Sequence, residues 1–439
     1  MPAPIVVREY ARLTTAPLAR NTLDEAHISA SAFDWLCELA GRFRSNGASL
    51  LQVDGRRWLK LDHYVGVLET PCGQVIEILP KHCEEQDCVP AARALLQRMI
   101  AAALELPTRN AEQASLALYD APLAEWVMQQ FLLALDHLLK RGLRFDYQRV
   151  EEEQRFLRGQ LDVVRQMRQP PGRAHLLHLR HDIYTPDRAE NRLLKAALDV
   201  VCKHTQDSGN WRLAHELAGL LHSLPASRDI AQDFRAWQNN RLLAHYQPLR
   251  PWCELILYRH MPLAVAGGYR GISLLFPMST LFERYAEQRL RAALPAGARL
   301  DRQVTSQYLC THAGSNFFQL RPDLLLQQGS QRWVLDAKWK LLDASRRSSN
   351  YELSQSDFYQ LYAYGQKYLQ GSGHMALLYP AWGRFNAAKP IAPFQFDARL
   401  TLHVLPLALD DPQAGLAVLA QLMQAGAGQT AAAPAAAMC

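Results

Sequence analysis

The chain has 439 residues, 49% of them apolar and 21% charged, with a formal net charge of +6. That length leaves room for two or three domains and a sizeable core, and the balance is ordinary for a soluble globular protein. No run reaches the length of a transmembrane helix, residues 1–23 lack the apolar region of a signal peptide, and the eight cysteines form no C-x-x-C pair, so a cytoplasmic protein without membrane association is expected.

Residues 1–105 read as a small β-rich domain. A strand is expected over Pro4–Tyr10, a helix over Ala30–Arg44, and short strands over Ser49–Val53, Arg56–Leu61, Tyr64–Glu69 and Gln74–Leu79. Asp54-Gly55 and Cys72-Gly73 supply hairpin turns. The last of these strands alternates Val75 and Glu77 against Ile76 and Ile78 until Pro80 ends the pairing. Lys81 and His82 then stand at an exposed rim, and Glu77 with Lys81 mark a candidate docking surface. Cys83 and Cys88 beside His82 lack the second ligand pair that a zinc site needs.

Residues 106–253 read as a helical middle region, with amphipathic segments at Leu123–Arg141, Arg188–Thr205, Trp211–Leu224 and Asp229–Tyr246. His178–Tyr184 has strand character, and the arginines from Arg141 to Arg180 are natural phosphate contacts if nucleic acid is bound. From 254 to 408 the order is helix, strands, helix, strand, which suits a mixed sheet flanked by helices. The Ala-rich stretch from 409 to 439 reads as a disordered tail. The fold class is therefore α+β multidomain.

The most informative stretch is Arg321 to Trp339, which reads as a β-hairpin. Leu320–Leu326 forms one arm; Arg332–Trp339 forms the other, with Val334, Asp336 and Lys338 on one face. Gly329-Ser330 suits a two-residue type II′ turn, and that turn places Asp323 opposite Asp336. Opposed side chains lie about 5 Å apart, where like charges destabilise a sheet. Two facing carboxylates with a lysine on the same face therefore point to a divalent cation such as Mg²⁺, which takes one or two carboxylates plus water and phosphate oxygens. Asp323 and Asp336 would hold it, the Ala337 carbonyl would add an oxygen, and Lys338 would orient the attacking water, help deprotonate it, or stabilise charge on the phosphate. Glu283 has two readings: Thr280-x-x-Glu283 fits a helix capping box, and the glutamate also suits an extra carboxylate reaching the metal. In the helix expected after the hairpin, Phe358, Leu361, Tyr362, Tyr368 and Leu369 fit the buried stripe, and Gln360, with Tyr364 one turn on, is placed on another face to touch the scissile phosphate or the DNA backbone.

Pro322-Asp323 followed by Asp336-Ala-Lys338 resembles the PD-(D/E)xK motif of restriction-type nucleases. The wider chain resembles the McrC family, the nuclease subunit of the McrBC modification-dependent (5-methylcytosine) restriction system. The matching pieces are Tyr64-Val-Gly-Val67, Ile76-Glu-Ile-Leu-Pro-Lys81, Gly159-Gln-Leu-Asp-Val163, Asn191-Arg-Leu-Leu-Lys195, Leu281-Phe-Glu283, the hairpin, and Tyr359-Gln-Leu-Tyr-Ala-Tyr-Gly365. The resemblance implies a restriction-endonuclease-like C-terminal domain that cuts DNA with Mg²⁺. It also implies an N-terminal domain that docks on a hexameric AAA+ GTPase partner of the McrB kind and stimulates it. Asp323, Asp336 and Lys338 carry over as the catalytic set, with dimerisation of the nuclease domain expected for double-strand cutting. The chain has no G-x-x-x-x-G-K-[ST] loop, consistent with a motor on a separate protein. A non-catalytic adaptor or DNA clamp for such a motor, and a stand-alone repair nuclease, are the competing classes.

Overall fold

The computed structural model describes residues 4–44, 50–54, 57–82, 88–105, 122–258, 274–411 and 413–430. Gly55 of the expected first turn, Cys83 and residues 106–121 across the expected first domain boundary lie outside them. The fold is mixed α and β, in two compact units: Met1–Asp120 with Val265–Cys439, and Ala121–Ala264. The expected boundary at 254 falls inside the helix Arg250–Tyr258.

In the first unit, Ile5–Arg8, Val75–Leu79, Tyr64–Glu69 and Leu274–Pro277 form a four-stranded sheet in that order. Ile5–Arg8 lies parallel to Val75–Leu79, and the other pairings are antiparallel. The fourth strand comes from far along the chain and needs Gly66, where a Cβ would meet the Leu274 carbonyl oxygen at 1.8 Å. Glu25–His27, Arg12–Thr14, Trp58–Leu61 and Leu51–Val53 make a second sheet. Ala30–Arg44 is helical as expected, and Val89–Ala103 is a helix with Pro90 in its first turn, where a missing N–H costs nothing.

The same unit holds a six-stranded sheet, ordered Ala298–Arg302, Leu324–Gln328, Gln331–Ala337, Gly373–Pro380, Leu400–Leu407, Phe394–Gln395. Gln331–Ala337, Gly373–Pro380 and Leu400–Leu407 run parallel. Met375 and Leu377 on its central strand are fully buried, and with Val334 they pack against Leu361, Tyr364 and Tyr368 of the helix Gln355–Tyr368. The helices Met278–Ala292 and Ala414–Thr430 also cover this sheet.

Five expectations need correction. The expected arm Leu320–Leu326 is not one strand: Ser315–Leu320 pairs with Gln307–His312 in a separate ribbon, and the next strand starts at Leu324. Pro322 between them has no N–H to give a ladder. The middle region has the strand expected at His178–Tyr184, as Leu177–Thr185, but that strand also pairs with Asp146–Gln154 and Gln160–Leu161 in an antiparallel sheet that was not expected. Its cross-strand pairs include Arg180 with Glu151 at 3.0 Å and His181 with Glu152 at 3.2 Å, and Arg165 meets Glu151 at 2.8 Å, so part of the expected basic surface is internally paired. Asp229–Tyr246 breaks after the helix Ile230–Ala236, where Trp237 is buried and the Asn240 side chain caps a 3-10 turn at Arg241–Leu243. Tyr362 is 43% exposed rather than part of the buried stripe of its helix. The expected disordered tail is ordered as far as Thr430: Ala414, Val418, Leu419 and Leu422 recur at helical spacing and are buried. Residues 431–439 lie outside the described set.

In the second unit, the helices Leu123–Arg141 and Ala189–His204 bury Trp126, Phe131, Leu135, Leu193, Leu194 and Leu198. Between them the Glu125 carboxylate accepts hydrogen bonds from the Thr205 hydroxyl at 2.8 Å, the Gln206 N–H at 2.6 Å and the Asn210 amide at 2.8 Å.

Candidate active site

The hairpin forms with the register its turn demands. Leu324 faces Leu335, and Gln328 faces Gln331. Gly329 at the turn has φ 58°, as the first central position of a type II′ turn requires. Asp323 therefore stands just before the first arm, beside Asp336 on the second. Its Oδ2 accepts the Ala337 N–H at 2.8 Å, and its own carbonyl accepts the Gln303 N–H at 2.9 Å. These bonds fix the carboxylate where Pro322 has ended the preceding ribbon.

Asp336 is fully buried, and neither of its carboxylate oxygens has a hydrogen bond of good geometry. The Lys338 ammonium stands 2.8 Å from Oδ2 as an ion pair. Burial and the neighbouring Asp336 charge push the Asp323 carboxyl up to about 8. Burial likewise raises Asp336, against the pull of Lys338. Burial works against the Lys338 charge, but Asp336 beside it holds the amine above its ordinary value, so Lys338 is an ammonium at neutral pH.

The helix Gln355–Tyr368 completes the site. Lys338 Nζ lies 3.4 Å from Gln360 Oε1 and 3.8 Å from Asp357 Oδ1. Gln360 donates its amide to the Tyr364 hydroxyl at 2.7 Å, and that hydroxyl donates to the Arg321 carbonyl at 2.9 Å. Asp357 is the residue that sequence reasoning missed. It shares a helix face with Gln360 and Tyr364, at i, i+3 and i+7, and that spacing was the available signal.

Glu283 is not part of a capping box. Its helix starts at Met278, after Pro277, so Thr280 lies inside the helix. The carboxylate accepts from the Gln303 amide at 3.0 Å, and burial raises its pKa, with a smaller push from Asp336. Glu283 thus faces the acid pair from the neighbouring helix and is tied to the residue that holds Asp323.

The proposed docking residues fare differently. Glu77 is fully buried, and Arg93 of the helix Val89–Ala103 grips it through Nε at 3.0 Å and Nη2 at 2.6 Å. Lys81 and His82 are half-buried rather than exposed. Asn191 is likewise structural: its amide donates to the Arg144 and Pro186 carbonyls, and it accepts from the Tyr246 hydroxyl at 2.9 Å.

Among the described residues no group of three or more His, Cys, Asp and Glu side chains is placed to hold a metal, so Glu283 does not stand with Asp323 and Asp336 as the expected third carboxylate ligand. The residues do fit a hard cation that keeps most of its shell as water and phosphate oxygen. Both Asp336 oxygens are buried without hydrogen bonds, and Asp323 keeps one oxygen beyond the Ala337 bond.

The family described as McrBC 5-methylcytosine restriction system component matches residues 59–380. The chain is 23% identical over 247 residues to the Type IV methyl-directed restriction enzyme EcoKMcrBC of Escherichia coli (strain K12), spanning 52% of this chain and 67% of that protein. Its fold is shared with a chain from the refined half-complex of the tetradecameric assembly of Thermococcus gammatolerans McrB AAA+ hexamers with bound McrC. That match has a TM-score of 0.70 at 18% identity and covers 95% of this chain and 100% of that one. A chain of the Thermococcus gammatolerans McrBC complex is similar with a TM-score of 0.51 at 20% identity, over 67% of this chain and 88% of that one. No helix among the described residues is long and apolar enough to cross a membrane.

Proposed function

The chain belongs to the McrC family of McrBC restriction-system components, and on that basis we propose that it is the Mg²⁺-dependent DNA endonuclease of such a system, driven by a partner AAA+ GTPase. The observation that carries this reading is the fully buried Asp336, with Lys338 paired to it at the end of one strand and the half-buried Asp323 beside it. Two adjacent like charges, with Asp336 lacking hydrogen bonds and a single ammonium beside it, are disfavoured, and a divalent cation would offset them.

Asp323, Asp336 and the Ala337 carbonyl would hold the ion; Glu283 makes no third carboxylate ligand in the metal-free arrangement and is tied instead to Gln303. Bound there, Mg²⁺ supplies polarisation of a phosphoryl oxygen and a more acidic water. Lys338 stays protonated, which favours charge compensation on the transferring phosphate over the role of base. Gln360 steadies the ammonium through its Oε1, and the bonds from Gln360 to Tyr364 and on to Arg321 fix that oxygen in turn. A partner of the McrB kind is supported by the assemblies named above, and modified-cytosine DNA by the family's description. Two nuclease sites are needed to break both strands, so two copies act together in this reading.

The test is cleavage of 5-methylcytosine DNA by the chain with its partner, GTP and Mg²⁺. Asp336→Ala and Lys338→Ala should each lower cutting about 10³-fold or more while partner binding and melting behaviour persist. Full cutting by the double variant would sink the assignment. Stimulated GTP hydrolysis with no DNA breaks by the unaltered chain would favour the adaptor class instead.

A further inference from the structure

We propose that Glu9 is a positioning residue that ties the strand carrying Lys338 to the rim of the N-terminal sheet. Glu9 follows the strand Ile5–Arg8, and its N–H donates to the Leu79 carbonyl at 2.9 Å. Its side chain turns inward and is 1% exposed. A single oxygen, Oε1, accepts both the Lys81 N–H at 2.8 Å and the Trp339 indole N–H at 2.6 Å, while Oε2 is buried with no hydrogen-bond partner.

The other end of this link is the catalytic segment. The strand Gln331–Ala337 stops one residue before Lys338. Lys338 keeps one main-chain bond to the next strand, its N–H donating to the Leu378 carbonyl at 2.9 Å. Beyond it the ladder gives no support, and the next anchor is the Trp339 ring. That ring sits 5.4 Å from Phe282, the residue before Glu283, and its N–H ends on Glu9. The connection therefore runs from Leu79 and Lys81, through Glu9 and Trp339, to the ammonium beside Asp336. A buried carboxylate with one oxygen left unbonded destabilises a fold. Its place here is explained by what Oε1 joins. Only the reaction that Glu9 serves rests on the nuclease reading; the link itself does not.

Acylation of lysines in the metal-free full chain with an amine-reactive ester, read by mass spectrometry, tests the link directly. Exposed Lys367 serves as internal reference. Glu9→Ala and Trp339→Phe should raise the labelling of Lys338 several-fold relative to Lys367. Glu9→Gln keeps the accepting oxygen and should label like the unaltered chain. In the partner-driven cleavage assay the first two should lower kcat about 10-fold or more with KM for DNA unchanged, and Glu9→Gln should restore it. Lower melting temperatures with Lys338 labelled at the unaltered rate would reduce Glu9 to a packing residue and overturn the proposal. Cleavage surviving Asp336→Ala would instead overturn the nuclease reading, and the labelling result would still decide the link.

Discussion

Glu125 and Asp336 are both buried acids on regular elements, and their surroundings differ in kind. In the Ala121–Ala264 unit, Glu125 receives three hydrogen bonds from Thr205, Gln206 and Asn210, and Asp233 is gripped by Arg192 at 2.5 Å and Ser227 at 2.7 Å. In the other unit, Asp336 has no hydrogen bond and one ion pair, and a second carboxylate shares its neighbourhood. Folding normally satisfies a buried polar group. A site that leaves Asp336 without a hydrogen bond and sets Asp323 beside it gives up stability for something outside the chain, and the difference separates structural acids from working ones.

The comparison can be broken most sharply by removing each acid in turn. Asp336→Ala should abolish cutting, as above, with little loss of folding stability. Glu125→Ala should do the reverse. It strands the Thr205, Gln206 and Asn210 donors and should destabilise its unit by about 3 kcal/mol, seen as a lower denaturant midpoint. A Glu125→Ala protein as stable as the unaltered chain would show that hydrogen-bond counts do not sort these acids.

The hairpin was legible because local chemistry specified it twice. The Gly329-Ser330 turn and the alternation of the second arm gave one register, and that register brought the two aspartates together. Other features depended on partners that no local pattern shows. Asp146–Gln154 reads as a polar run because its support is cross-strand, as with Glu151 and Arg180. Glu77 alternates as an outward residue would, but Arg93 from the next helix covers that face. Asp357 lies in the first turn of its helix, where an acid suits the dipole; its spacing to Gln360 and Tyr364 marks the face, and the packing of that helix beside Lys338 gives it a second role. Glu283 shows the opposite error: a local capping pattern was present, but the helix began earlier, at Met278.

A smaller effect concerns pH. Asp323 is raised to about 8, and Asp336 is raised as well, so between about pH 4 and pH 8 this pair binds more protons in the metal-free folded chain than in the unfolded one. The pair's contribution to stability should therefore fall as pH rises through that window. Asp336→Asn removes one of the two charges and should flatten the slope, leaving the variant more stable than the unaltered chain near pH 8. Mg²⁺ should act like the missing proton, raising the melting temperature most at the alkaline end. Melting curves across pH, with and without Mg²⁺, check this, and equal slopes in both chains would count against an acid pair that shares protons.

Glu283 carries the smallest expected effect and the finest distinction. Its carboxylate is held by Gln303, whose backbone N–H also holds Asp323. It can act on the cation through a bond of its own, or only by orienting Asp323. Glu283→Gln keeps an oxygen to accept from Gln303 but removes the charge, and Gln303→Ala removes the tether but keeps the charge. If the glutamate reaches the ion, Glu283→Gln should raise the Mg²⁺ concentration for half-maximal thermal stabilisation about 10-fold, and Gln303→Ala should do less. If it acts only through the tether, the order inverts, because the charge then contributes little and the lost hydrogen bond lets Asp323 move. The ranking of the two variants decides whether this acid belongs with Asp336 or with Glu125.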